Sequence, residues 1–352
     1  MDLRNTYRIV FHNDFDGICC AAHFLNTAVG DTSYVLYPVK TQIRGEKFDR
    51  LIDSFPEEDT VVVFDFQYHK RAKIWVDHHD NKVLPEKFTK LLINNTSALS
   101  AFEILAPTHA AKEWVNTIDA CKYPNVEFIF ESDHPAMTLN RFIKNTFPHD
   151  MIYCRIAEVL ARMNLDFQKT VDILGLDPVE LINRDLEGCK RTWAFMCVHD
   201  TNIAVIFEKR AGEYPRYAEF YMRHNLDYSI RQLDTGNGKC QIEIGYNPFL
   251  HEENLIDIGK YMRDNKLLQT GGGHHNIGGG AMLVKHSEEF IQQFVVAVNG
   301  DGSMEKLAVD PTDPVEVKAE QEMVKTGSTK EVARETVVKE MVKDGDDSGL
   351  KL

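Results

Sequence analysis

The sequence has no run of 18 consecutive apolar residues, so no segment is expected to span a bilayer as a helix. It also lacks any CxxC pair, and its seven cysteines are scattered through 352 residues. An odd count without a spacing pattern reads as reduced thiols in a cytoplasmic protein. The first residues, MDLRNTYRIVFHND, enter a strand-like run with no apolar signal region, which fits the same compartment. Positive charge is short. Forty Lys+Arg against 54 Asp+Glu leave a net charge of -14. That balance argues against coating long nucleic acid, which requires neutralising many phosphates. A small anion can still bind where positive charge is local or where metal ions supply it. Aromatic residues stop at Phe294. Residues 299–352 alternate acidic and basic side chains and lack the apolar area that offsets ordering entropy. They are expected to form a solvated tail, with a frayed charged helix over 314–343.

What is present divides the rest in two. Tyr7 to His12, Tyr34 to Val39, Thr60 to Phe66 and Ala72 to Val76 read as strands, and Gly17 to Ala28 as a helix between the first pair. Apolar strands alternating with helices predict an α/β fold with a parallel sheet and flanking helices. A capped helix is expected to start at Thr96 or Ser97, and Trp114 to Leu186 reads as mostly helical. Beyond this point Ile203 to Phe207, Ala218 to Met222 and Cys240 to Tyr246 read as strands, and Asn254 to Asn265 as a helix leading into a glycine cluster. The expected division is residues 1–185, a smaller α/β domain over 193–298, and the tail over 299–352.

Four groups carry candidate chemistry. In His12-Asn13-Asp14-Phe15-Asp16-Gly17, alternate residues of an extended chain point the same way. Asp65 interrupts the apolar run VVVFDF, where a carboxylate is costly unless paired or metal-bound. Asp77-His78-His79 directly follows the IWV strand, and Asp119 lies in a helical stretch. The first three fall at strand carboxyl ends, where open α/β sheets gather ligands. Taken singly, each has a plain alternative: a strand-to-helix turn, a paired core acid, surface histidines, an ordinary helical Asp. Together, oxygen and imidazole donors suit a pair of divalent cations such as Mn²⁺, which acidify water and neutralise a phosphoryl group. Asp65 is the candidate shared by both ions.

These motifs resemble those of the DHH phosphoesterase superfamily. The second half carries Gly271-Gly272-Gly273-His274-His275-Asn276-Ile277-Gly278-Gly279-Gly280, which is similar to the GGGH signature of the DHHA1 domain. That pairing accompanies RecJ-type exonucleases, nanoRNase-type oligonucleotide hydrolases and cyclic-dinucleotide phosphodiesterases. The resemblance covers residues 7 to 298. Its tight HxDxDG spacing is nearer to RecJ-like members than to the nanoRNase type, whose histidine stands further from the first acid.

The resemblance implies a DHH catalytic domain, a DHHA1 substrate domain and an active site in the cleft between them. His12 and Asp14 would hold one metal, Asp16, His78 and Asp119 the other, and Asp65 would bridge. Asp77 would orient the histidine ligand from behind, and His79 would face the substrate phosphate and the leaving oxygen. Gly272, Gly273, His274 and His275 would bind substrate, the glycines as a concave nest of amides. Arg231, in Ser229-Ile230-Arg231, would place its guanidinium fork on a substrate phosphate. Two Mn²⁺ ions are the expected cofactors, with Mg²⁺ or Co²⁺ as substitutes. The expected substrate is a short single-stranded oligonucleotide, with room for a homodimer. The alternatives are a cyclic-dinucleotide phosphodiesterase and a catalytically inactive nucleic-acid-binding scaffold. Presence of all six metal-ligand candidates favours an enzyme. Inorganic pyrophosphatase shares the first domain, but its second lacks GGGH.

Overall fold

The computed structural model describes residues 6–40, 43–79, 84–145, 150–200, 202–208, 214–250 and 256–299. The expected tail, apart from Asn299, lies outside these residues.

The first sheet has five strands, β1 (Tyr7–His12), β2 (Tyr34–Val39), β3 (Thr60–Phe64), β4 (Ala72–Asp77) and β5 (Leu92–Asn94), in the order β2-β1-β3-β4-β5. Every pairing is parallel. The apolar runs are unbroken because both faces are covered. Ile9, Phe11, Val62 and Phe64 enter one core, and Val10, Val61, Val63 and Trp75 enter the other. The strand order reverses between β1 and β3, and it is at the strand carboxyl ends of such a point that open α/β sheets gather ligands.

The helix expected over Gly17 to Ala28 is an α-helix at Phe15–Phe24 followed by one π-helical turn at Leu25–Val29. The start expected at Thr96 or Ser97 moves to Ser100, whose Oγ accepts from Glu103 N at 3.0 Å and caps Ala101–Leu105. Asn95 accounts for the difference: its side chain accepts from Ser97 N at 3.2 Å in a turn of its own.

The helix Pro178–Phe195 runs through both expected domain edges and leads straight into the second sheet. That sheet contains β6 (Met196–Asp200), β7 (Ile203–Glu208), β8 (Tyr228–Gly236), β9 (Lys239–Tyr246), β10 (Leu268–His274) and β11 (Ile277–Leu283), ordered β10-β11-β9-β8-β7-β6. Only β7 and β8 are parallel; the other pairs are antiparallel. Ala218–Met222, expected as a strand, is a short helix. Pro215 and the left-handed Tyr217 (φ 70) turn the chain into it, and Ala218 N donates to Pro215 O at 3.2 Å. The helix expected over Asn254 to Asn265 spans Ile258–Asp264, capped by Asp257; residues 254 and 255 of the expected span lie outside the described residues. Among the described residues, no helix is long and apolar enough to cross a membrane.

The glycine cluster forms a hairpin, with Gly271, Gly272 and Gly273 paired to Gly280, Gly279 and Gly278. Packing explains most of these glycines. A Cβ at Gly271 would sit 2.1 Å from the Met262 carbonyl oxygen, and one at Gly273 2.3 Å from that of Ile277. Gly278 would press on the Met262 side chain. Gly272, on the opposite face, has open space.

Candidate metal centre

The site begins with the turn out of β1. Asp14 caps the Phe15–Phe24 helix by accepting from Gly17 N at 3.0 Å. A Cβ at Gly17 would lie 2.2 Å from the His12 carbonyl oxygen, so the last residue of HNDFDG must be glycine for the turn to close. The closure brings His12 Nδ1 within 2.6 Å of Asp14 and 3.5 Å of Asp65. Burial acts against the charged forms of this pair, but mutual attraction wins: His12 is held well above the usual imidazole range and Asp14 below the usual carboxylate range.

Asp16 is fully buried and holds the start of a distant helix. Its oxygens accept from Ala101 N at 2.7 Å and Phe102 N at 2.9 Å, orphan amides of the Ala101–Leu105 first turn. Burial, then repulsion from Asp65, Asp119 and Asp14, pushes its carboxyl well above the ordinary value.

Asp65 stands just past β3 in the left-handed region (φ 54), a strained backbone for a non-glycine residue, and is 1% exposed. Neither of its oxygens has a hydrogen-bond partner, and neither does the buried Nε2 of His78. That nitrogen lies 3.4 Å from Asp65, 3.2 Å from Asp119 and 3.9 Å from Asp16. Its ring is oriented from the other side, where Nδ1 meets the Ala98 carbonyl at 3.3 Å. Burial disfavours charge on His78, but Asp119 and Asp65 raise its pKa to about 11. Asp119 is pushed up to about 6, chiefly by burial.

Asp77 Oδ1 accepts from the amides of His78 and His79 and from His79 Nδ1 at 2.8 Å, so its carboxylate orients the His79 ring, while Ala98 orients the His78 ring. With Nδ1 engaged, a proton that His79 passes on would leave through Nε2. Burial lowers its pKa, but Asp77 and Asp65 outweigh this and raise it.

Two ligand triads result, with donor atoms within 4.8 Å of one another: His12, Asp14 and Asp65, and Asp16, His78 and Asp119; a third set joins Asp65, His78 and His79. The donor set fits divalent cations. Buried carboxylate oxygens and an imidazole nitrogen that converge without hydrogen bonds are the donor types that suit a divalent cation.

The substrate candidates in the second half are placed less uniformly. Gly272 and Gly273 lie on the hairpin, and His275 is exposed at its turn, 3.7 Å from Asp257. The His274 side chain lies outside the described residues. Arg231 is committed within the protein. Its terminal nitrogens donate to Glu208 at 3.0 Å, to Glu219, and to the carbonyls of Tyr214 and Pro215. It braces the Ala218–Met222 helix against β8, so the fork expected on a phosphate is engaged by carboxylates. Sequence reasoning did not identify Glu219 or Ala98; neither stands in a recognisable pattern, and both act through tertiary contact.

No protein-family model matches the sequence, and no curated protein matches it. Solved structures match its fold. The pGpG-specific phosphodiesterase PggH from Vibrio cholerae superposes with a TM-score of 0.53 at 17% identity, over 84% of this chain and 99% of that one. RecJ in complex with Mn²⁺ from Thermus thermophilus gives 0.50 at 16% identity, over 92% of this chain and 57% of that one. The protein shares the fold of these two structures, an α/β fold with a parallel sheet and flanking helices.

Proposed function

We propose that the protein is a two-metal phosphodiesterase acting on short single-stranded oligonucleotides, most favourably on linear dinucleotides. The observation that carries this reading is Asp65, a buried carboxylate with two orphan oxygens between two ligand triads. His12 and Asp14 would hold one Mn²⁺, Asp16, His78 and Asp119 the other, with Asp65 shared. Mg²⁺ or Co²⁺ would serve as substitutes. When bound, such ions neutralise phosphate charge and acidify water. The Ala98 carbonyl keeps the proton of His78 on Nδ1 and leaves Nε2 as a donor pair for metal. His79, held by Asp77 and favoured in its protonated form, would give a proton to the leaving oxygen.

Residues 1–185 would form the DHH catalytic domain and 193–298 a DHHA1-type substrate domain, with the scissile bond in the cleft between them. The likeness to a pGpG-specific phosphodiesterase, matched over 99% of its length, supports a short substrate. A Mn²⁺-dependent hydrolysis panel of short RNA, short DNA, cyclic dinucleotides and pyrophosphate tests the assignment. Conversion of linear dinucleotides to mononucleotides is expected. Turnover of none of the four with Mn²⁺, Mg²⁺ or Co²⁺ would overturn it.

A further inference from the structure

A second cavity lies at the far end of the helices that build the metal centre. The Phe15–Phe24 helix carries Asp16 in its first turn and His23 in its last. The Lys112–Asp119 helix ends on Asp119, and at its start Lys112 N donates to the His109 carbonyl at 3.0 Å. His23 and His109 line a cavity of about 770 Å³ with Thr108, Asn164, Asp166 and Lys169, and the rest of its wall is apolar. That size lies within the range of small-molecule sites, about 300–1,000 Å³. One wall is held against local preference. Asn164 and Leu165 are consecutive left-handed residues (φ 50 and 56), and Asn164 Oδ1 accepts from Asn26 Nδ2, in the π-helical turn, at 2.7 Å.

The polar groups of the cavity divide into engaged acceptors and open donors. Asp166 accepts from Lys169 N at 3.1 Å and pairs with the Lys169 ammonium at 3.0 Å, and Asn26 occupies Asn164 Oδ1. Ala111 N donates to His109 Nδ1 at 3.0 Å, which puts the proton of that ring on Nε2. His23 Nδ1 is buried with no hydrogen-bond partner. A buried orphan N–H is rarer than a buried orphan acceptor, so the proton of this ring also sits on Nε2. Burial and the neighbouring His109 lower the His23 pKa, which keeps the ring neutral with a single proton. Among the described residues nothing accepts from either Nε2 or from the Thr108 hydroxyl.

Phe102 joins this cavity to the metal centre. Its amide donates to Asp16 at 2.9 Å. Its ring meets both imidazoles edge to face, with centroids 5.8 Å from His23 and 5.7 Å from His109, and the two imidazoles are themselves 5.7 Å apart.

We infer that the cavity is an effector site for a small tetrahedral oxyanion, held by His23 and His109, whose occupancy is felt at Asp16 through Phe102. Three open donors with no acceptor among them suit the several oxygens of such an ion, and the apolar wall leaves room for whatever the ion is attached to. An occupant that repositions the two imidazoles acts on the Phe102 ring that both touch, and so on the amide that holds Asp16. The coupling is reciprocal, so metal at the cluster changes anion affinity by the same factor. The site stands apart from the phosphodiesterase reading, because its readout is binding.

The test titrates the full chain with inorganic phosphate, adenosine 5′-monophosphate and adenosine by calorimetry, in EDTA, where the carboxylate cluster repels anions. Inorganic phosphate and the monophosphate should bind, and adenosine should not. A tighter monophosphate places its nucleoside on the apolar wall, and equal binding identifies free phosphate; both support the site. His109→Asn keeps an acceptor for Ala111 N and removes the Nε2 donor, so it should fold, as its melting temperature checks, and bind phosphate about 10- to 100-fold more weakly. His23→Asn should lose a similar factor, and His109→Gln, whose amide N–H reaches further, should keep part of the affinity. Asp65→Asn should bind phosphate at least as tightly as the unmodified protein. Inorganic phosphate should also change Mn²⁺ affinity by about 5-fold or more in the unmodified protein, and by less in His109→Asn. Absence of phosphate binding, or equal binding by His109→Asn and the unmodified protein, would overturn the site. An equal effect of phosphate on Mn²⁺ affinity in both would overturn its link to Asp16.

Discussion

The carboxyl end of the first sheet and the core of the second treat buried charge in opposite ways. Around Asp65, carboxylates and imidazoles converge with no hydrogen bond on the Asp65 oxygens or on His78 Nε2. Around Arg231, two carboxylates and two carbonyls saturate one guanidinium. Both are buried clusters of ionisable groups, and either could pass for a catalytic centre on residue types alone. Satisfaction separates them. A fully paired network is a strut; a cluster whose partners are missing is built for something that arrives later.

The largest effect is expected where a partner is missing. Asp65→Asn should abolish phosphodiester hydrolysis, a loss on the order of 1,000-fold or more, because its second oxygen can no longer serve both triads. The fold should survive, since removing one acid from a carboxylate cluster relieves repulsion. A melting temperature equal to or above that of the unmodified apo-protein is expected, and near-normal turnover would contradict the bridging role. Arg231→Met should do the reverse. It leaves Glu219, 2% exposed, as an uncompensated buried acid, which costs about 3–5 kcal/mol of stability by chemical denaturation. Loss of activity with unchanged stability would instead return Arg231 to the substrate.

The hairpin yields a smaller contrast. Gly271→Ala forces a Cβ against the Met262 carbonyl and should destabilise by about 1–3 kcal/mol. Gly272→Ala meets open space, should change stability by less than about 0.5 kcal/mol, and should act on substrate affinity if this face lines the cleft. Equal effects on stability would dissolve the distinction between the two faces.

These contrasts also mark what was legible in the sequence. The metal-site candidates were readable because strand ends impose a short spacing: HNDFDG places His12, Asp14 and Asp16 within one turn, and the closing Gly17 is demanded by the His12 carbonyl. The parallel sheet was readable from unbroken apolar strands. The start of the Ala101–Leu105 helix was not, because two of its amides are held by Asp16, 85 and 86 residues earlier. AEFYM reads as a strand by composition, yet forms a helix that carries Glu219 to Arg231. Asp77 was seen as a supporting acid, but which histidine it supports depends on the turn after β4. Local patterns encode which residues are chemical; tertiary pairing decides which of them are already occupied.

The smallest expected effect concerns pH. His78 is raised from 6.5 to about 11, so its stabilising pairing is fully present below 6.5 and is lost as pH rises through about 11. Asp119 is raised from 3.8 to about 6, so its contribution is present below 3.8 and lost as pH rises through about 6. Protons thus hold the apo-cluster together at low pH, and a metal must displace them. The gain in melting temperature on adding Mn²⁺ should be larger at pH 8.5 than at pH 6. An equal gain at both would mean that metal binds without displacing these protons.

The most direct test of the central claim is the stoichiometry of Mn²⁺ binding, measured by calorimetry on the unmodified protein and on Asp65→Asn. Two ions per chain are expected for the unmodified protein and fewer than two for the variant, with the residual site weakened. A single ion in the unmodified protein, or two retained at full affinity after the substitution, would contradict the assignment of Asp65 as the shared ligand of a two-metal centre.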